Sequence, residues 1–389
     1  MRFIPAGPAA FVAAALFTPA AVRAAEPFAA VDTAVEAALK RGDCPGAVVL
    51  VIHKDKVVFR KAYGNRAVRP TVEPMTLDTV FDMASLTKPV ATGSSIMLLI
   101  EKGKLRPEDP VAKHWPAFGA NGKPDVTVAQ LLLHTSGLTA DNAIADYADG
   151  REKALERVTA LKLEAAPGTR FKYSDVGFIV LGELVEKLGG MPVDRFAKAH
   201  IFDPLKLTDT GYRPAGDLLK RVAPTGLRSG LTIRGEVHDP RSFKMGGVAG
   251  HAGLFGTADD LARYARMLLR GGELDGVRVL KPETVELFTK AREVPPAPPA
   301  KGKDAPSVKQ ARSYGWDVDT SYSGPRGDGF RRGEGFGHTG FTGTSLWVDP
   351  RSGTAVVILT TRVHPDDMGN VVRLRREVAN AVAGAVGVK

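Results

Sequence analysis

Ser85-Leu86-Thr87-Lys88 places a hydroxyl and an amine three residues apart, and no other serine in the chain has a lysine at this spacing. Residues three apart lie on one face of a helix, so we expect the Lys88 amine to reach the Ser85 oxygen and accept its proton. A helix is predicted here because Pro89 suits a first turn and an apolar run follows at 96–100. Ser85 is therefore a candidate nucleophile that needs no histidine.

The start of a helix would favour this chemistry in two ways. Unpaired backbone N–H groups and the positive end of the helix dipole stabilise a developing oxyanion. The same field disfavours a protonated lysine, and burial acts in the same direction, so we expect the pKa of Lys88 to be lowered. A lone Ser-x-x-Lys also fits a solvated helix start without function, so further motifs are needed to support it.

Two later segments carry polar side chains next to predicted elements. Tyr173-Ser174-Asp175 follows a Pro-Gly lead-in and precedes an apolar, helical pattern over 176–188. His338-Thr339-Gly340-Phe341 leads into alternating residues at 345–348, which predicts a strand with small residues at its edge. Tyr63 and Tyr147 are alternatives to Tyr173, but neither has the same lead-in.

Taken in order, Ser-x-x-Lys, Tyr-Ser-Asp and His-Thr-Gly resemble the three motifs of the penicillin-recognising serine hydrolases. This group includes class C β-lactamases and D-alanyl-D-alanine carboxypeptidases. The resemblance also covers segments without chemistry and runs from about Cys44 to Val363. The segments 235–240 and 246–251 resemble class-C-type penicillin-binding proteins associated with cell-wall metabolism.

The resemblance implies a role for each motif. Ser85 would form an acyl-enzyme, Lys88 would be its base, and Tyr173 would carry protons to the leaving group and help to activate water. The backbone N–H groups of Ser85 and Phe341 would form the oxyanion hole. The expected substrate-binding residues are Asp175, His338, Thr339, Gly340 and Phe341.

Two positions depart from the common pattern of the family. Asp175 replaces the usual asparagine, and a carboxylate only accepts hydrogen bonds, so it could pair with Lys88 or with a substrate amine or N–H. His338 stands where β-lactamases of this type carry lysine, and we expect it to be largely uncharged near neutral pH. Histidine at this place favours peptide chemistry over β-lactam hydrolysis. The candidates for binding a substrate carboxylate, each otherwise a solvated surface residue, are Arg326, Arg331, Arg332 and Arg362.

The predicted fold class is α/β (α+β), with β-hairpins near both ends of the chain and mostly helical patterns between them. The resemblance implies an antiparallel sheet flanked by terminal helices, an inserted mainly helical lobe, and an active site in the cleft between them. We predict a single catalytic domain over 25–389, with a sheet lobe at 26–82 and 255–389 and a helical lobe at 83–254. An exposed Pro/Lys-rich loop is predicted over 293–311.

The chain has 389 residues and a formal net charge of +10. Its basic residues are spread along the chain without interleaved aromatics, so no nucleic-acid partner is predicted. A signal peptide is predicted over 1–24, because an uncharged Ala- and Pro-containing stretch ends in small residues that suit cleavage. We therefore expect a periplasmic or secreted protein without a stable membrane span after cleavage, a retained anchor being the alternative.

No cofactor is predicted. His238, Asp239 and His251 are metal-ligand types in glycine-rich loops, but their spacing matches no compact zinc pattern, so we predict no metal and expect loop hydrogen bonds. The predicted function is that of a D,D-carboxypeptidase or related peptidase acting on peptidoglycan stem peptides. The alternatives are a carboxylesterase or weak β-lactamase with the same nucleophile, and a non-catalytic wall-binding or sensor protein. The oligomeric state is left open.

Overall fold

A computed structural model of the protein describes residues 27–297 and 309–388. The predicted signal peptide and the middle of the predicted loop 293–311 lie outside the described residues. The described ends of that loop belong to two paired strands, Arg292–Val294 and Gln310–Arg312. The predicted loop 293–311 therefore includes strand residues at both of its described ends.

The described residues contain strands at both ends of the chain and short strands between them. In chain order they are β1 (Gly46–His53), β2 (Lys56–Ala67), β3 (Glu73–Pro74), β4 (Phe81–Asp82), β5 (Gly211–Tyr212), β6 (Leu227–Arg228), β7 (Leu231–Thr232), β8 (Leu254–Gly256), β9 (Glu273–Leu274), β10 (Val277–Arg278), β11 (Arg292–Val294), β12 (Gln310–Arg312), β13 (Asp317–Asp319), β14 (Phe336–Thr339), β15 (Ser345–Asp349) and β16 (Thr354–Thr360). Nine of them form one antiparallel sheet in the order β11-β12-β13-β14-β15-β16-β1-β2-β3.

The α-helices occupy mainly the middle of the chain and its two ends. They are α1 (Ala29–Arg41), α2 (Ser94–Glu101), α3 (Val111–His114), α4 (Val128–Leu132), α5 (Arg151–Ala160), α6 (Asp175–Gly189), α7 (Val193–Ala197), α8 (Asp217–Lys220), α9 (Pro240–Lys244), α10 (Ala258–Leu269), α11 (Pro282–Thr289) and α12 (Val372–Val386). Among the described residues, no helix is long and apolar enough to cross a membrane.

The hairpin of β1 and β2 forms where the sequence predicted it. Lys54 and Asp55 at its turn both have positive φ, 47° and 65°, and this conformation gives a two-residue turn a twist that matches the flanking strands. On its other side β1 pairs with β16, with Ala47 opposite Thr360. The two ends of the chain therefore share one sheet, as predicted.

The sheet is covered on both faces because successive side chains of a strand point to opposite sides. On one face Val49 and Val51 pack in a core with α1 and α12. On the other face Val48 and Leu50 belong to a larger core that includes α10 and the helices of the middle of the chain. The sheet takes its strands from 46–74 and 292–360, on both sides of the predicted helical lobe 83–254. The lobe boundaries themselves stay a prediction.

Candidate active site

The segment that carries Ser85 is helical, but its first turns are not α-helical. Ala84–Leu86 is a 3-10 turn, Lys88–Gly93 is a π-helical turn, and the α-helix starts only at Ser94. The prediction of an α-helix from Ser85 is therefore wrong in detail. Pro89 has no N–H to donate, so a regular ladder of α-helical hydrogen bonds cannot run through it.

A buried carboxylate holds the backbone just before Ser85. Asp82 accepts hydrogen bonds from the N–H of Ala84 at 2.8 Å and from the N–H of His238 at 2.7 Å. Ala84 has a φ of +45°, which is uncommon for a residue with a side chain and needs support from its surroundings. Burial raises the pKa of Asp82 to about 6. Asp82 thus fixes the turn that presents Ser85.

Lys88 has no exposed surface, and its amine has three oxygen neighbours. Its Nζ donates to Ser85 Oγ at 3.0 Å and to the carbonyl oxygen of His251 at 3.1 Å. Asp175 Oδ1 lies 2.6 Å from the same Nζ. This last contact is an ion pair, whereas the two before it are hydrogen bonds. The structure thus shows Asp175 paired with Lys88, one of the two partners considered for it.

This pairing corrects the expected protonation of Lys88. Burial favours the neutral amine, but the Asp175 carboxylate and the Tyr173 phenol outweigh it and raise the pKa of Lys88 above its ordinary value. The sequence argument considered burial and the helix dipole alone. It did not include a carboxylate in direct contact with the amine, and such contact favours the charged form.

Tyr173 reaches the site because it directly precedes α6. The hydroxyl of Ser174 caps this helix by accepting from the N–H of Gly177 at 3.0 Å. The Tyr173 ring stacks on His134 with 4.5 Å between the ring centres, and His134 Nδ1 accepts from the N–H of Ser174 at 3.0 Å. Burial raises the pKa of Tyr173, and the charge of Lys88 opposes this rise.

The other tyrosine candidates lie elsewhere and are engaged. Tyr63 donates to Asp32 at 2.6 Å, and Tyr147 is buried and donates to Asn142 at 2.6 Å. His134 lies in the turn that follows α4, with a φ of +58°. Its contact with Tyr173 was missed, because no local pattern links residues so far apart in the chain.

His338 lies on β14 and is buried. Its Nδ1 is 2.9 Å from the carbonyl oxygen of Thr339, so this nitrogen carries the proton and Nε2 keeps a free lone pair. Burial holds the pKa of His338 well below its ordinary value, and the charges of Arg312 and Lys88 act in the same direction. His338 is therefore neutral near pH 7, in agreement with the sequence-based expectation.

A cavity of about 260 Å³ opens beside Ser85. Its lining residues are Ser85, Tyr173, Arg312, Asp317, Tyr322, His338, Thr339, Gly340, Phe341, Arg362 and Arg375. Six of the eight predicted site residues are among them, while Lys88 and Asp175 lie behind Ser85. Gly340 is required for space, because a Cβ there would be 2.1 Å from Thr344 Oγ1 and 2.6 Å from the carbonyl oxygen of Met83.

The arginines proposed to bind a carboxylate divide into two groups. Arg362 lines the cavity, where its guanidinium lies 4.3 Å from the ring centre of Phe341. Arg326 and Arg332 face Asp319 at 3.7 Å and 3.1 Å, and Arg331 faces Glu334 at 3.8 Å. These three are not among the lining residues of this cavity. The lining residues that sequence reasoning missed are Arg312, Asp317, Tyr322 and Arg375, none of which lies in a motif.

The two histidines of the glycine-rich loops, His238 and His251, contact different residues. His238 stacks on Phe341 at 5.5 Å between ring centres. Asp239 accepts from the N–H of Ser242 at 2.7 Å and contacts His251 Nε2 at 2.9 Å, which is the loop hydrogen bonding expected from the sequence. Asp175, Asp239 and His251 offer ligand atoms within 4.8 Å of one another. The Lys88 ammonium already pairs with Asp175 there, and it would repel a cation. The absence of a metal stays a prediction.

Comparisons with known proteins agree with this geometry. The Beta-lactamase family model matches residues 31–380. A protein of Escherichia coli (strain K12) named "Putative D-alanyl-D-alanine carboxypeptidase" is 32% identical over 82% of this chain and 79% of its own length. An "N-acetylmuramyl-L-alanine amidase" of Bacillus subtilis (strain 168) is 32% identical over 88% of this chain and 83% of its own length.

The fold is also found among solved structures. A penicillin-binding protein homolog from Caulobacter crescentus superposes with a TM-score of 0.74 at 22% identity, covering 92% of this chain and 98% of the other. This likeness confirms the predicted fold class, with its large antiparallel sheet and flanking helices.

Proposed function

Because the chain belongs to the Beta-lactamase family of serine hydrolases, we propose that it is a D,D-carboxypeptidase or a related peptidase acting on cell-wall stem peptides. The observation that carries this choice is His338, which is neutral and buried in the cavity wall at the place where β-lactamases of this type have lysine. A neutral imidazole with a free Nε2 lone pair suits a peptide N–H better than it suits an anion. The name of the Escherichia coli relative supports the same class of substrate.

The contacts around Ser85 support an acylation step with a defined proton path. Ser85 Oγ attacks the substrate carbonyl and gives its proton to Lys88, while Lys88 passes one of its own protons to Asp175. The carbonyl oxygen takes the electron pair and binds the N–H groups of Ser85 and Phe341. The net charge of the catalytic side chains and the substrate together is unchanged, because the new oxyanion carries the negative charge that Asp175 loses.

The leaving group departs when the carbon–nitrogen bond breaks. Tyr173 gives its proton to the leaving nitrogen and regains one from Lys88, which in turn recovers its proton from Asp175. Water then attacks the acyl-enzyme and loses its proton along the same path, which frees Ser85. The substrate carbonyl is thus transferred from nitrogen to Ser85 and then to water.

A second candidate is cleavage of another cell-wall amide, the bond between muramic acid and L-alanine. The Bacillus subtilis relative is named as an amidase of this kind, which favours this candidate. Its alignment covers slightly more of this chain than that of the Escherichia coli relative, at the same identity. Export is part of both proposals, because these substrates lie outside the cytoplasm, and it rests on the predicted signal peptide.

The purified protein should release D-alanine from an N-acylated peptide ending in D-Ala-D-Ala, and Ser85→Ala should abolish this release. Mass spectrometry after exposure to penicillin and to the peptide would report the site and the lifetime of any adduct. N-acetylmuramyl-L-alanine, a nitrophenyl ester and a chromogenic cephalosporin test the amidase, esterase and β-lactamase alternatives in parallel. No turnover of any substrate, with no labelling of Ser85 by a fluorophosphonate, would favour a non-catalytic protein.

A further inference from the structure

The segment 238–251 lies between β7 and β8 and contains two histidines and an aspartate that carry no proton in the proposed reaction. His251 has only 1% of its surface exposed, and its Nε2 lies 2.9 Å from Asp239 Oδ1. Asp239 Oδ1 also accepts from the N–H of Ser242 at 2.7 Å, which caps α9. The contact between Asp239 and His251 joins residues that are 12 positions apart, so it closes the segment on itself.

Both ends of this segment contact residues that hold the proposed nucleophile and its base. The N–H of His238 donates to Asp82 at 2.7 Å, and Asp82 fixes the turn before Ser85. The carbonyl oxygen of His251 accepts from Lys88 Nζ at 3.1 Å. The same Nζ lies 3.0 Å from Ser85 Oγ. One segment therefore supports both partners of the contact between Ser85 and Lys88.

The backbone at the end of the segment is held by side chains. The three successive carbonyl oxygens of residues 250–252 each accept from a different side chain. The donors are the hydroxyl of Thr92 at 2.7 Å, the Nζ of Lys88 at 3.1 Å and the hydroxyl of Ser242 at 2.9 Å. Asp239 binds both the N–H of Ser242 and the imidazole of the middle residue. It therefore helps to set where this stretch of backbone lies relative to Lys88.

Asp239 makes these contacts in its ionised form. Burial favours the neutral acid, but the contacts with His251 and with the N–H of Ser242, together with the charge of Lys88, hold the pKa of Asp239 below its ordinary value. An ionised carboxylate only accepts hydrogen bonds, so His251 Nε2 carries the proton and donates it to Asp239. Hydrogen bonds to a charged acceptor are stronger than those between neutral groups. The pair is therefore well suited to hold a backbone group in place.

We propose that Asp239 and His251 are positioning residues, whose hydrogen bond holds the His251 carbonyl against Lys88 and so keeps the amine within reach of Ser85. The inference rests on the proposed function and deepens it, because it names the residues that support the same catalytic pair. Neither Asp239 nor His251 is among the residues that line the cavity. Loss of their contact should therefore slow the chemical step and leave substrate binding nearly unchanged.

His251→Ala tests this role, because it removes the imidazole and leaves the backbone carbonyl and the cap of α9 in place. We expect kcat for D-alanine release to fall about 100-fold, since a displaced amine no longer aligns with Ser85. KM should stay within about threefold, because the cavity lining is intact. His251→Gln offers an N–H close to the position of Nε2 and should keep kcat within about tenfold of the unmodified enzyme. An unchanged kcat in His251→Ala, or a glutamine variant as slow as the alanine variant, would overturn the proposal.

His114→Ala is the matched control for the loss of a buried histidine. His114 Nε2 lies 3.0 Å from Asp109 Oδ2, so the variant breaks a contact of the same kind at the end of α3, and neither residue lines the cavity. It should lower the midpoint of denaturant unfolding, as His251→Ala does, and leave kcat unchanged. An equal fall of kcat in both variants would show an effect of stability alone and would count against positioning.

Asp239 provides a second route to the same contact if His251→Ala does not fold. Asp239 has 20% of its side chain exposed, so its replacement disturbs the core less. Asp239→Ala removes the acceptor and should reduce kcat about 100-fold, whereas Asp239→Asn keeps an acceptor oxygen and should stay within about tenfold. Equal losses in the two variants would show that the charge of Asp239 matters and that its hydrogen bond does not, against the proposal.

The rate at which a neutral fluorophosphonate labels Ser85 separates this inference from the proposed function. Labelling needs the same contact between Ser85 and Lys88 but no peptide, so it should slow about 100-fold in His251→Ala and stay unchanged in His114→Ala. Normal labelling of the unmodified enzyme without peptide cleavage would overturn the peptidase alone. Equal labelling rates in all variants would overturn the positioning role alone. Absence of both labelling and cleavage in the unmodified enzyme would overturn the two proposals together.

Discussion

At the scale of single residues, Asp175 controls the protonation of Lys88. The Asp175 carboxylate lies 2.6 Å from the buried Lys88 amine. Together with Tyr173 it raises the pKa of Lys88, which burial alone would lower. A charged lysine cannot accept a proton, so an ionised neighbour is needed to take one from it. In the proposed reaction Asp175 takes this proton, whereas asparagine at the same place could not.

We expect Asp175→Asn to change how activity depends on pH. Without the carboxylate, burial dominates and the pKa of Lys88 falls. The kcat/KM at pH 7 should drop about 100-fold and then rise with pH as the free amine forms, whereas the unmodified enzyme stays level through the neutral range. The measurement is the pH–rate profile of D-alanine release.

Asp141→Asn is the matched control for this prediction. Asp141 is a nearby carboxylate that pairs with Arg241 at 3.3 Å rather than with Lys88. Its removal should leave the shape of the profile unchanged. Superimposable profiles for Asp175→Asn and the unmodified enzyme would show that Asp175 takes no proton. Unchanged relative rates across peptide, ester and β-lactam substrates would also show that Asp175 does not influence the choice of acyl donor.

At the scale of elements, the start of α6 positions two site residues at once. Tyr173 precedes the capping residue Ser174, and Asp175 is the first residue of the helix. The Ser174 hydroxyl also donates to the carbonyl oxygen of Thr139 at 2.6 Å, which ties the cap to the preceding loop. A change in this cap moves the phenol and the carboxylate together.

Ser174→Ala should therefore lower both stability and activity. Loss of a helix cap costs about 1 kcal/mol of unfolding free energy, and the misplaced side chains should reduce kcat/KM by about tenfold or more. Thr257→Ala removes the matching cap of α10, where the hydroxyl accepts from the N–H of Asp260 at 3.3 Å, and Thr257 is not among the residues that line the cavity. It should lower stability equally and leave kcat/KM unchanged. Equal activities of the two variants would contradict the positioning role of the cap.

At the scale of the whole molecule, the central sheet holds two cores together. Its middle strands come from opposite ends of the chain, and each of its faces is closed by helices. The cavity receives Ser85 from the irregular helix before α2, Tyr173 from the start of α6, and His338 from β14. Its geometry therefore depends on how the sheet and the helical region pack.

Leu50→Ala tests how far this packing can be weakened without loss of the site. Leu50 is fully buried in the larger core, and its truncation should cost about 2–5 kcal/mol of unfolding free energy. Denaturant unfolding measures that loss. At denaturant concentrations below the unfolding transition, kcat/KM should stay within about twofold of the value for the unmodified enzyme, since Leu50 does not line the cavity. Val58→Ala, at an exposed position, should change stability by less than about 0.5 kcal/mol.

The sequence by itself determined the elements and the order of the motifs. The hairpin at Lys54 and Asp55, the helix at 176–188 and the strand at 345–348 follow from local patterns of apolar and turn residues, and local patterns act over a few residues. The spacing of Ser85 and Lys88 likewise predicted their contact, because one turn of helix brings them together whether the turn is α-helical or not.

Only the tertiary structure decided the electrostatics of the site. The pKa of Lys88 depends on its contact with Asp175, and the position of the Tyr173 ring depends on its stacking against His134. The hydrogen bonding of the Arg312 guanidinium depends on Asp317. Most of these groups lie far apart in the chain, and a charge responds to every group within a few ångströms. No local pattern reports such distances, because they are set by how the sheet and the helices pack.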